Sequence, residues 1–249
     1  MQTGSEFLHH GPCSACGSRD NNAVYSDGHT FCFGCGAYTP GNGQQPSTTT
    51  TRKRVAAEFV QGEVQGLVKR KITQETARHF NYIIGEYRGT PCQAAPYYDA
   101  DGNLVAQKIR RPDKTFAVIG DMSEALPFGA TLWPRGGKRI VVTEGEIDAM
   151  SLSQVQGNKW PVVSIGCGAG AQVRKYMARL KPYFNGFDEV VLMFDMDEPG
   201  RNAARVAAEV LGSRARIAEL PQGFKDANDM LVAGRTEDLL NAMWRAQEY

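Results

Sequence analysis

The sequence predicts an α/β protein: a parallel β-sheet flanked by helices, joined to a mixed α+β segment and preceded by a small metal-held ribbon. Three observations carry this reading. From Lys138 onward, apolar β-branched runs alternate with helical ones, the pattern of strands buried on both faces and linked by crossover helices. Before that, residues 56–136 mix one short helical stretch with extended runs separated by turn signals. The first forty residues hold four cysteines in two CxxC pairs but too few aliphatic side chains to build an apolar core.

The leading segment, 1–40, is expected to fold around one structural zinc ion. Cys13 and Cys16 form one pair, Cys32 and Cys35 the other, with fifteen residues between them. Each CxxC turn aims two sulfurs at one point, and two turns supply the tetrahedral thiolate set of a closed zinc site. Disulfides are the competing use of such cysteines, but the polar N-terminus lacks the charged start and apolar core of a secretory signal. Cys92 and Cys167 fit no partner pattern and are expected as buried or half-buried thiols. Between the pairs, NNAVYSDGHTF alternates and breaks at Asp27-Gly28, a hairpin signal. Asp27 and His29 at its tip either offer hydrogen bonds to base edges or simply sit on the surface behind the metal ligands. The residues themselves leave both readings open.

PGNGQQPSTTTTRKR, Pro40 to Arg54, has no aliphatic residue and no periodicity, so 41–55 is expected as a flexible linker. As a random coil its roughly 15 residues would span about 20 Å. In the segment that follows, Thr73 is the expected N-cap of a helix over ITQETARHF. YYDADGNLVAQKIR places Asp101-Gly102 between alternating runs and reads as a β-hairpin. Lys108, Arg110, Arg111 and Lys114 crowd its far end, with Lys108 and Arg110 on one strand face, suited to phosphate contacts or to protecting a solvated edge.

Over 137–249, four strand-and-helix pairs are expected: KRIVVTE then IDAMSLSQVQ, PVVSIG then AQVRKYMARLKPYF, EVVLMFD then PGRNAARVAAEVLG, and RARIAEL then TEDLLNAMWRAQ. Glu144 ends the first strand and Asp195 the third, with Glu146, Asp148 and Asp197 just beyond. Open parallel sheets bind ligands past the carboxyl ends of their strands, and Glu144 and Asp195 both sit at such ends, which marks the candidate site. If those two strands are neighbours their tips lie about 5 Å apart, close enough to share one or two magnesium ions. Glu144, Asp195 and Asp197 are the expected magnesium ligands, with Asp148 and Asp226, in FKDAND, as further catalytic acids. Asp148 or Asp197 alone could instead cap a helix. The GCGAGA run, Gly166 to Ala171, matches a dinucleotide fingerprint only weakly and is better read as a tight turn.

The net charge of +1 argues against a nucleic-acid partner until it is divided along the chain. Residues 1–50 carry one basic and three acidic side chains, 51–140 fifteen and nine, and 141–249 twelve and fifteen. A basic middle between acidic ends suits a face that meets an anion beside a region that holds a cation. No run of about 18 uncharged apolar residues occurs, so no membrane span is expected and the protein is placed in the cytoplasm.

SDGHTFC within the four-cysteine ribbon, the linker, DGNLVAQKIR, VVTEGEIDAM, and VLMFDMDEPGR followed by KDAN closely resemble the primase half of phage replicative primase-helicases. EGEID with FDMDEPGR is the signature of the TOPRIM fold. The resemblance implies a DNA-dependent RNA polymerase that makes short primers from ribonucleoside triphosphates on single-stranded DNA in the host cytoplasm. It implies that Glu144, Asp148, Asp195, Asp197 and Asp226 are the acidic site. Lys108 and Lys114, helped by Arg110, would contact nucleotide or template, and Asp27 and His29 would read the template. Relatives carry lysines where this chain has Ala117 and Ser123. The family continues into a hexameric helicase and works with a replicative DNA polymerase; a G-x4-G-K-[ST] phosphate loop is not in this chain. The rival reading is a non-catalytic recombination mediator, which also pairs a zinc element with a TOPRIM domain but does not need the full acid set.

Overall fold

The structure is a computed structural model that describes residues 5–14, 17–32, 37–41, 58–167, 170 and 172–249. It divides into two compact units, Met1–Ala56 and Ala57–Tyr249. Cys16, Cys35, nearly all of the expected linker and part of the GCGAGA run lie outside the described residues.

The first unit is an antiparallel sheet of β1 (Phe7–Gly11), β2 (Asn22–Tyr25), β3 (Thr30–Cys32) and β4 (Tyr38–Thr39), in sequential order. Val24 pairs with Thr30 across the Asp27-Gly28 turn, as the alternation predicts. Among its described residues only Cys13, Ala23 and Cys32 are buried apolar side chains, far too little area to offset the entropy of ordering the chain. The two buried cysteines therefore mark where the unit must be held by something other than apolar packing.

The second unit begins with a five-stranded antiparallel sheet, ordered β5 (Gly62–Glu63), β6 (Ile83–Tyr87), β7 (Thr90–Tyr98), β8 (Leu104–Arg110) and β9 (Phe116–Gly120). Helix α1 (Gln74–His79) starts where expected, the Thr73 hydroxyl accepting the Thr76 N–H. The β7–β8 hairpin turns at Asp101-Gly102; Gly102 takes φ +86°, and the Asp99 carboxylate accepts the Asp101 and Asn103 N–H groups.

The remainder is the expected alternation: β10 (Gly137–Thr143), α2 (Glu146–Val155), β11 (Val162–Ser164), α3 (Val173–Phe184), β12 (Phe187–Met193), α4 (Glu198–Leu211), β13 (Ala215–Ile217), α5 (Ala227–Val232), α6 (Thr236–Trp244) and β14 (Gln247–Glu248). The sheet order is β11-β10-β12-β13-β14, parallel except for β14. This two-residue antiparallel edge carries no periodicity to predict it and is held by Arg216 pairing with Glu248 at 2.9 Å. Strand alternation sends Val141 and Val191 to one face, against Met150 and Leu152 of α2, Met230 of α5 and Leu239 of α6. Ile140, Val142, Val190 and Leu192 face the other way, against Met177 and Leu180 of α3 and Ala203 and Ala207 of α4. Phe80, Tyr97 and Phe128 join the first of these clusters, so the antiparallel segment shares a core with the parallel sheet. No helix among the described residues is long and apolar enough to cross a membrane.

Candidate active site

The chain leaves β10 for β11 on one side and returns to β12 on the other, so the crossover direction reverses between β10 and β12. Such a switch point opens a crevice at the carboxyl ends of the strands. Thr143 pairs with Met193, which sets Glu144 and Asp195 at adjacent strand ends, as expected. Asp148 enters from the first turn of α2, and Asp226 from the N-cap of α5, where its carboxylate accepts the Asp229 N–H at 2.7 Å. One carboxylate oxygen from each of Asp148, Asp195 and Asp226 lies within 4.8 Å of the others. Glu144 lines the same cleft. Asp197 caps α4 by accepting the Gly200 N–H at 2.9 Å and shares the Lys225 ammonium with Asp195. Among the described residues, Asp148, Asp195 and Asp226 are the acids whose oxygens meet this closely, because the starts of α2 and α5 converge on Asp195. Gly200 is required here, since a Cβ would lie 2.3 Å from the Asp195 carbonyl oxygen.

Crowding sets the electrostatics. Burial lifts the Asp148 carboxyl well above its ordinary range, and Asp226 and Asp195 push it further. Burial raises Asp195 too, against the pull of Lys225. The Lys225 ammonium lies 3.1 Å from both Asp195 and Asp197. Asp197 is held below the carboxylate range by the Gly200 N–H and Lys225. Three converging oxygen donors, two of them with disfavoured charged forms at Asp148 and Asp195, fit a hard divalent ion that keeps several of its own ligands.

The same cleft, about 560 Å³, is also lined by Arg70, Lys108, Arg110 and Phe116. Lys108 points inward to Glu146, 2.9 Å away, and the buried Tyr97 hydroxyl donates to the same carboxylate. Arg110 makes no ion pair with a described residue and stands over the Phe116 ring. Behind the acids, Asn228 donates its backbone N–H to Asp148 at 3.0 Å. Its side chain bonds Arg70 and Ser151. Lys114 is not in the cleft lining; it sits in the β8–β9 turn at φ +68°. Sequence reasoning missed Glu146, Phe116, Asn228, Arg70 and Lys225, although Glu146 and Lys225 flank acids it singled out.

In the first unit, the buried Cys13 and Cys32 both have main-chain hydrogen bonds. Gly17 donates to the Cys13 carbonyl at 2.9 Å, and Cys32 donates to that of Ala37 at 2.8 Å. Cys16 and Cys35 lie outside the described residues. At the hairpin tip, Asp27 accepts the His29 N–H and pairs with its Nδ1 at 2.6 Å, while the His29 ring stacks on Tyr25. That N–H holds the Asp27 carboxyl below its ordinary range.

Residues 8–44 match the zinc-binding domain of primase-helicase, residues 62–120 the bacteriophage T7 DNA helicase/primase N-terminal a+b fold, and residues 141–231 the Toprim-like family. The chain is 39% identical to the DNA helicase/primase of Enterobacteria phage T3 over 98% of its own length, and spans 45% of that protein. It is 40% identical to the crystallised primase fragment of the bacteriophage T7 primase-helicase, covering 96% of this chain and all of the fragment, with a TM-score of 0.69. It also resembles, at 42% identity and TM-score 0.71, a chain in a complex of bacteriophage T7 lagging-strand DNA polymerase with primase domains bound to an RNA/DNA hybrid and dTTP. That match covers 76% of this chain and 95% of the other.

Proposed function

This chain belongs to the primase family of the phage primase-helicases, with their zinc ribbon and TOPRIM fold, and on that premise we propose that it synthesises short RNA primers on single-stranded DNA by magnesium-dependent nucleotidyl transfer. One observation carries the proposal: the Asp148, Asp195 and Asp226 oxygens converge within 4.8 Å at the switch point of the parallel sheet, in a cleft also lined by Arg70, Lys108 and Arg110. The mediator reading gives no reason for that convergence.

Asp148, Asp195 and Asp226 would hold one or two magnesium ions, with Glu144 and Asp197 completing the acidic edge. Bound there, magnesium activates a ribose hydroxyl for attack and neutralises charge on the transferred phosphate. The chain's own residues do the positioning. Arg110 draws template or triphosphate oxygens to the cleft. Lys108, fixed by Glu146, contributes positive potential more than a mobile contact. Lys225 holds Asp195 and Asp197 in place, and the Asn228 N–H aims Asp148. Lys114 would meet phosphate outside the cleft, along the β8–β9 turn.

Cys13, Cys16, Cys32 and Cys35 would hold one zinc ion, whose thiolate set stiffens the ribbon. With Nδ1 engaged by Asp27, His29 has Nε2 to offer a template base. The domain divisions expected at 40, 55 and 136 follow from the same reading, as do a hexameric helicase and a replicative DNA polymerase as partners in the host cytoplasm.

The test is direct. Labelled ribonucleotides, magnesium and a panel of single-stranded templates are incubated with the protein. Short RNAs on a subset of templates are expected; products on none would overturn the proposal.

A further inference from the structure

The edge strand β9 presents an aromatic residue that the acidic site does not account for. Its side chains alternate: Ala117 and Ile119 pack inward with Val60, Cys92, Ala94 and Ile109, while Phe116 and Val118 face solvent, each about half exposed. A solvent-facing edge is ordinarily blunted by charge, and an exposed phenyl ring there gains nothing in stability. Here the ring is surrounded by a particular chemistry. Phe116 pairs with Arg110 across β8–β9, and Val118 with Lys108. The Lys108 ammonium lies 5.2 Å and the Arg110 guanidinium carbon 5.5 Å from the centre of the Phe116 ring. The same ring lines the cleft that holds Asp148, Asp195 and Asp226.

An apolar ring flanked by cations, open on a strand edge and continuous with a carboxylate site, matches a nucleotide in its parts. The base meets the ring, and the phosphate meets the guanidinium. A protein or lipid partner would be expected to need a broader apolar patch than Phe116 and Val118 offer. The geometry points to Phe116 as a stacking platform for a nucleobase at the rim of the cleft, with Arg110 holding the adjoining phosphate. This inference rests on the primase reading. The base belongs either to the template strand or to a nucleoside triphosphate, two sources of one chemistry.

The Phe116→Trp protein supplies a reporter, read against the parent and its three tryptophans. A stacked base quenches indole emission. A single-stranded oligodeoxynucleotide without ribonucleotides forms one arm, a ribonucleoside triphosphate with magnesium another, and an abasic oligomer the control. Quenching is expected in one of the first two arms, identifying the source, and not with the abasic oligomer. Phe116→Ala should weaken the same ligand about tenfold while Phe116→Trp retains it, the scale of one lost base–aromatic stack. Thermal melts confirm that both variants remain folded. If the parent makes primers but neither arm quenches and Phe116→Ala binds both ligands like the parent, the platform is overturned. Equal quenching by the abasic oligomer overturns it as well. If the parent makes no primers yet the quench appears, the base site stands and the primase reading fails.

Discussion

Lys108 on β8 and Glu146 at the start of α2 meet at 2.9 Å, with only 15% and 10% of their side chains exposed. The pair ties the antiparallel sheet to the parallel one at the mouth of the acidic cleft, and Tyr97 completes it from below. Removing one partner strands the other in a poorly solvated place. Glu146→Leu is expected to destabilise the protein by about 3 kcal/mol, and Lys108→Met with Glu146→Leu by less than the sum of the single changes. Chemical denaturation of the four proteins checks this. Additive effects would mean the two side chains are not coupled.

The raised Asp148 and Asp195 carboxyls fix a sign for pH dependence. Both are raised in the folded state, so their contribution to stability is full below the unfolded carboxylate pKa and is lost as pH climbs through the raised values. The metal-free protein should therefore melt at lower temperature as pH rises across that window. Magnesium competes with those protons and should stabilise more at pH 8 than at pH 5.5, by about a few degrees at saturating ion. Thermal melts with and without magnesium measure both trends. A magnesium effect independent of pH would speak against these carboxylates as the ligands.

Cys13→Ser is expected to release zinc and unfold the ribbon while Ala57–Tyr249, a compact unit of its own, keeps its melting transition. Template-directed initiation should be lost, and extension of a pre-annealed primer should survive. Zinc content and the two primer assays, run side by side, decide it; equal loss in both would count against a separable reading module.

Much of this fold is legible locally. Periodicity marks β10 to α6, Thr73 marks the start of α1, and Asp101-Gly102 marks the β7–β8 turn, because caps, turns and alternation are properties of neighbouring residues. Glu144 and Asp195 are legible for the same reason, since each ends an apolar run. What escapes is long-range. The convergence of Asp148 and Asp226 on Asp195 depends on how α2 and α5 pack on one face of the sheet. Glu146 looks like one more acid in EGEID until the fold brings Lys108 against it. Phe116 reads as an ordinary strand residue, and only strand order shows that β9 is an edge at the cleft. The two-residue β14 is too short for any pattern.

If the acidic convergence carries out template-directed nucleotidyl transfer, Asp195→Asn should abolish it. Asp195 belongs to the convergent triad and also contacts Lys225, so the change removes its negative charge with little loss of volume. Primer synthesis and single-stranded DNA binding are measured on the same preparation. Synthesis is expected to fall at least about a hundredfold, the scale of losing several kcal/mol of charge stabilisation, while DNA binding and the melting curve stay near those of the parent. Primers made at the parent's rate by the Asp195→Asn protein would contradict it.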